Sequence, residues 1–155
     1  MTFEQLVDEA TAVVYARVGE VRGRWTANRR YIESVVRLEA LRYLKGDLGD
    51  NVELRVPGGV AGGLRQVMPG APVLREGDLV VAFLGSQGPA MPQLVGFTQG
   101  LFRVLIDTHT GSAHVTPPPL KASIAGTILR GAADRRTLTV DAFAAEVRSA
   151  LEARR

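Results

Sequence analysis

Apolar residues in this chain come in short alternating runs, each closed by a turn, and that pattern leaves few architectures open. Val52, Leu54 and Val56 alternate before Pro57, the period-two spacing of a strand with one buried face. Val14, Ala16 and Val18 share one face between Thr11 and Val21, while Val13, Tyr15 and Arg17 share the other. Leu79 to Leu84 is instead an unbroken apolar run between Glu76-Gly77-Asp78 and a Gly/Pro segment at 85–92. Such a run suits a strand buried on both faces. Further strands are expected over Gln93–Thr98, Leu101–Ile106 and Ala113–Thr116, the last two joined by Asp107-Thr108-His109-Thr110-Gly111. Pro117-Pro118-Pro119 stops the series, because three residues without an N–H cannot sit inside a ladder. No helix separates successive strands, so a doubly wound parallel sheet does not fit.

Helices are expected only at the two ends. Thr2-Phe3-Glu4-Gln5 reads as a capping box, in which the Thr2 hydroxyl accepts from the Gln5 amide and Gln5 reaches back. Phe3, Leu6, Val7 and Ala10 then make one helical stripe over residues 2–10. From Thr139 the spacing turns helical again, with Val140, Phe143, Ala144, Val147 and Leu151 on one side and Asp141 near the positive end of the dipole. Residues 120–138 follow no period. At 155 residues the chain is about one domain long. It divides into an N-terminal helix and sheet region over 1–116, an irregular arm over 117–138 and a C-terminal helix over 139–155. The fold class expected is mainly β with terminal helices: a closed or partly open, OB-like antiparallel barrel.

One stretch is ambiguous. Val35, Leu38 and Leu41 repeat at helical spacing, yet Ile32, Ser34, Val36, Leu38, Ala40 and Leu44 alternate as one face of a long strand. Periodicity does not choose between them. Residues 57–63 carry four glycines. They lack both the Lys-Ser/Thr of a phosphate loop and the G-x-G-x-x-G spacing of a dinucleotide site, and read as a hairpin turn.

The formal net charge is +3, and of 19 basic residues only Lys45 and Lys121 are not arginine. Arg22, Arg24, Arg29 and Arg30 cluster with the single tryptophan, Trp25, in a polar connection expected over residues 22–29. Guanidinium forks grip carboxylate and phosphate, and Trp with Arg dominates interface hot spots. These five residues are the candidate binding site. The competing structural role is Trp25 folded over the barrel mouth with arginine stems on its ring.

Catalytic candidates are poor. The chain has no cysteine and two histidines, His109 and His114, five apart across a turn. Ser34, Ser86, Ser112, Ser123 and Ser149 are scattered, none within G-x-S-x-G. Glu33 and Glu39 read as a solvated strand face. No catalytic residue, metal ligand or cofactor is assigned, and no enzyme activity is expected. Phe97, Phe102, Tyr31 and Tyr43 offer at most a stacking platform for single-stranded nucleic acid, with core packing as the competing role. No stretch reaches the roughly 20 apolar residues of a membrane span. Met1 leads straight into a polar segment, so the chain reads either as cytosolic or as starting after a removed signal peptide.

The stretch Leu6–Val104 resembles a group of exported bacterial proteins with an OB-like barrel, similar in turn to the netrin-like domains of tissue inhibitors of metalloproteinases. The segments that carry the resemblance include Ala12–Val18, Arg24-Trp25, Val36–Gly46, Val56–Gly59, Gly70–Pro72, Glu76–Leu84 and Gln99–Val104. The resemblance implies that residues 31–44 form a long strand, and that the protein is exported after removal of a signal peptide. It does not carry over protease inhibition, because those inhibitors resemble one another in an N-terminal Cys that chelates the protease zinc. The function expected is therefore a non-catalytic exported binding module, contacting a protein or acidic surface polymer through the Arg/Trp loop. The alternative is a cytoplasmic OB domain for single-stranded nucleic acid, which the modest charge disfavours.

Overall fold

A computed structural model describes residues 1–86, 91–116 and 138–153. Helix α1 (Phe3–Glu9) is followed by two long strands, β1 (Ala12–Trp25) and β2 (Ile32–Lys45). Then come β3 (Asn51–Pro57), the short pair β4 (Gly59–Ala61) and β5 (Leu64–Gln66), and β6 (Leu79–Gly85). A two-residue β7 (Gln93–Leu94) precedes β8 (Leu101–Ile106) and β9 (Ala113–Thr116), and β10 (Leu138–Thr139) leads into α2 (Val140–Glu152). The protein is mainly β with a helix at each end.

Five strands make a partly closed ring, because β1 pairs with both β2 and β6 while β7 links β6 to β3. Closure is thin at one point. β3 meets β7 through the single parallel pair Arg55↔Gln93, backed by the Arg55 amide donating to the Pro92 carbonyl at 3.2 Å. From β6 the sheet continues outward through β8, β9 and β10.

The unbroken run on β6 has the two-sided burial its composition implies. Val80, Ala82 and Leu84 point into the ring with Val14, Ala16, Val18, Val36, Leu38, Val52 and Leu54. Val81 and Phe83 point the other way, into a second core that α1 and α2 close. Phe143 of α2 is the centre of that layer, with ring centroids 5.1 Å from Phe102, 5.5 Å from Phe3 and 6.1 Å from Phe83. Edge-to-face pairs of this kind add about 0.5–1.5 kcal/mol each beyond area burial.

Both terminal helices begin as expected. Thr2 Oγ1 accepts from the Gln5 amide at 3.1 Å and Gln5 Oε1 accepts from the Thr2 amide at 2.7 Å. Thr139 Oγ1 caps α2 by accepting from Ala142 at 3.1 Å. Lys45 closes the other end of α1: its Nζ donates to the carbonyls of Val7 at 2.7 Å and Ala10 at 2.5 Å, groups left without helical partners. Partial burial lowers the Lys45 pKa from its ordinary 10.5.

The long strand implied over 31–44 is β2, Ile32–Lys45, which finds partners on both sides, Trp25 to Val13 along β1 and Asn51 to Pro57 along β3. Two expectations change. The connection expected over 22–29 shrinks to a tip after Trp25, since Arg22, Gly23, Arg24 and Trp25 stay paired with Val35, Ser34, Glu33 and Ile32. The strand expected over Gln93–Thr98 stops at Leu94, where Gly96 and Phe97 turn to positive φ, 66° and 56°, and a 3-10 turn follows over Phe97–Gly100. Residues 117–137 of the expected arm, and Arg154 and Arg155, lie outside the described residues.

Candidate functional site

Beyond Val18, β1 leaves β6 and continues with β2 as an arm, which β3 flanks along β2 as far as Glu33. On a pleated ribbon, successive side chains face opposite ways. Arg22 and Arg24 therefore sit on one face of the arm, Gly23 and Trp25 on the other. The structure splits the candidate cluster into two surfaces.

The Trp25 face is covered in part by the β4–β5 hairpin. Gly62 and Gly63 make its two-residue turn, with φ of 57° and 79°, values that favour glycine at both central positions. The hairpin lies so close to β1 that a Cβ on Gly23 would fall 1.7 Å from the Val60 carbonyl oxygen. Two side chains pin it: Ser34 Oγ donates to the Gly58 carbonyl at 2.7 Å, and Gln66 Oε1 accepts from the Ile32 amide at 2.6 Å. Ile32 is buried beneath, whereas Trp25, beside the hairpin turn, stays 41% exposed. Val60, Leu64, Val67 and Val73 are all more than half exposed. A groove of about 420 Å³ runs between the arm, the hairpin and the loop 67–74, and reaches the ring interior at Val36, Val56 and Leu74.

The opposite face carries charge that is largely matched. Arg22 lies 3.5 Å from Glu20 and 3.6 Å from Glu53. The Arg24 Nε donates to Glu33 at 3.0 Å. Glu33 is thus not the solvated carboxylate expected; its side chain is only 13% exposed. Exposed pairs of this kind are worth about 0–1 kcal/mol, and they leave Arg22 and Arg24 little net positive field. Arg29 and Arg30 sit at the tip, in a turn held by Arg29 N–H to the Thr26 carbonyl at 2.8 Å and Arg30 N–H to Asn28 Oδ1 at 3.1 Å. Neither makes an ion pair among the described residues. Arg29 has φ of 56°, the left-handed region that ordinary residues adopt at a cost.

One further candidate side chain has no signal in the sequence. Arg55, on the outward face of β3, has a solvent-shielded Nε with no hydrogen-bond partner, a condition that costs about 1–3 kcal/mol. It lines two neighbouring hollows, of about 300 and 70 Å³, which share Pro57 and Gln93. Nothing in the sequence marks it, because Glu53, Arg55 and Pro57 read as the wet side of a strand.

The aromatic platform does not assemble. Phe102 is buried between Phe83 and Phe143, and the Tyr43 hydroxyl donates to the Gly49 carbonyl at 2.7 Å. Burial raises the Tyr43 pKa above 10.0, with the Asp47 and Asp50 charges adding to the rise. Tyr31 and Phe97 remain exposed beside different hollows. His114 lies on β9 and His109 within the β8–β9 turn. There the His109 amide, and after it Thr110, hold the Asp107 carboxyl below its ordinary 3.8. Among the described residues no three His, Cys, Asp or Glu side chains come together as a metal site, and no helix is long and apolar enough to cross a membrane. Comparison with protein families, curated proteins and solved structures returned no match.

Proposed function

We propose that the protein is a non-catalytic, exported binding module that holds a protein partner on the Trp25 face of the β1–β2 arm. The observation that carries this reading is the set of exposed apolar side chains there: Val60, Val67 and Val73 line an open groove, and Trp25 and Leu64 are exposed at the hairpin turn beside it. Soluble domains seldom leave such contiguous apolar surface without use, and tryptophan is the side chain most enriched at interface hot spots. Arg29 and Arg30, at the tip of the same arm, draw in an acidic partner; Arg22 and Arg24 contribute less because Glu20, Glu53 and Glu33 already match them. The five-stranded, partly open ring supports the OB-like reading of the fold. Export rests on the sequence resemblance alone.

The test is saturable capture of cell-surface protein by the immobilised domain. Trp25→Ala with Leu64→Ala abolishes capture if the apolar face is the contact. Arg29→Ala with Arg30→Ala weakens it and reduces its salt dependence. Capture that survives the first pair of changes overturns the assignment. Capture lost only with the arginines, and in moderate salt, assigns an acidic polymer instead.

A further inference from the structure

We propose a second site, separate from the Trp25 face, that takes a single carboxylate attached to an apolar or aromatic body, with Arg55 as its anchor. The argument starts from the unmatched donor. Arg55 Nε is shut off from water, has no acceptor, and belongs to a guanidinium that no carboxylate pairs among the described residues. The sealed Nε leaves this guanidinium under-satisfied, and Arg55 meets the hollow through its other atoms. The hollow of about 300 Å³ beside it has the size of a small-ligand site. Its other walls are Ile32, Pro57, Met68 and the half-exposed Tyr31 ring, with Thr26, Glu33 and Gln93 as further polar groups.

Charge selects the ligand. Glu33 also lines the hollow, but Arg24 already pairs it at 3.0 Å. Arg55 is left as one uncompensated positive charge, which matches a monoanion. A phosphate dianion would bring a second negative charge beside Glu33. A guanidinium recognises a planar carboxylate through parallel N–H donors, and the apolar walls recognise what the carboxylate is attached to. A free organic acid and the C-terminal residue of a peptide offer the same chemistry.

Position adds consequence. Arg55 and Gln93 are the one pair through which β3 and β7 close the ring. A ligand held between them ties that thin seam, so binding also raises protection of the β3–β7 amides.

The experiment is NMR titration of the full chain with four probes: phenylacetate, its neutral isostere phenylacetamide, the peptide Gly-Gly-Phe with a free C-terminus, and the same peptide amidated. Saturable shifts at the Arg55 Nε–H and the Gln93 side-chain amide are expected for the charged member of each pair. The neutral member binds about ten- to a hundredfold more weakly. Arg55→Met, which removes the orphaned donor, loses binding by a similar factor; Tyr31→Ala, at an exposed ring, tests the wall if the first variant does not fold. Tighter binding of phenylacetate assigns the site to small acids, and tighter binding of the free peptide assigns it to chain ends. Equal binding of charged and neutral probes, or no saturable shift at Arg55 with either carboxylate, overturns the proposal. Trp25→Ala leaves these shifts unchanged, which separates this site from the arm surface.

Discussion

Gly23→Ala is the substitution that most sharply tests how the arm surface is built. A Cβ at that position would meet the Val60 carbonyl oxygen at 1.7 Å and the Val60 carbonyl carbon at 2.6 Å. Both are backbone atoms, so the β4–β5 hairpin has to lift. Lifting separates Ser34 from Gly58 and Ile32 from Gln66, about 1 kcal/mol for each bond. It also opens Ile32 to water, and full exposure of such a side chain costs about 1.5–3 kcal/mol. Restricting the unfolded chain returns about 0.4–1 kcal/mol. The net expectation is a loss of about 3 kcal/mol, roughly 10 °C in Tm for a domain of this size. Urea unfolding followed by far-UV circular dichroism reads the stability, and Trp25 fluorescence reads the hairpin, with a red shift as the turn moves off the ring. Ser34→Ala, which deletes one bond without steric conflict, costs about 1 kcal/mol. A Gly23→Ala protein as stable as the parent, with unshifted Trp25 emission, would refute the close packing of the hairpin.

Other outcomes follow from the helical layer and the titrating groups. Phe143→Ala removes the ring that joins α2 to Phe3, Phe83 and Phe102, and denaturant unfolding is expected to show a loss of about 3–5 kcal/mol. Because the Lys45 pKa is lower folded than the ordinary 10.5, the unfolded chain binds more protons in the window just below 10.5. Stability therefore gains an upward slope with pH there, and Lys45→Met flattens it in urea midpoints taken from pH 8 to 10.5. Asp107 titrates below 3.8 because the His109 and Thr110 amides hold its ionised form. Its contribution is present above 3.8 and fades as pH falls through the depressed value, which carboxyl chemical shifts in the intact protein and in Thr110→Val follow directly.

What the sequence makes legible is what local chemistry decides. The capping box at Thr2, the stripe on α2, the turn after Ile106 and the two-sided burial of Leu79–Leu84 are each settled within a few residues. The rest depends on neighbours distant in sequence. Arg22-Gly23-Arg24 reads as a loop, since glycine and charge weaken a strand signal. It is a strand because β2 pairs along it, and Gly23 is there for the hairpin folded over it. The helical and extended spacings of 31–44 are equally good on their own, and β1 and β3 decide between them. Glu33 and Arg55 occupy positions that alternation assigns to solvent. Arg24 closes over the first, and β7, arriving from nearly 40 residues downstream, closes over the second. Trp25 lies on the opposite face from Arg22 and Arg24 for a local reason: once these residues are strand, odd and even positions face opposite ways.

The most direct measurement of the arm's role places a photo-crosslinking residue at position 64, on the hairpin beside Trp25, and in a second protein at position 105, equally exposed at the far end of β8. Irradiation in the presence of cell-surface protein is expected to give a discrete covalent adduct from position 64 that Trp25→Ala abolishes, and none from position 105. Adducts from 105 alone, or equal labelling from both sites, would place the contact elsewhere and contradict the assignment of the Trp25 face.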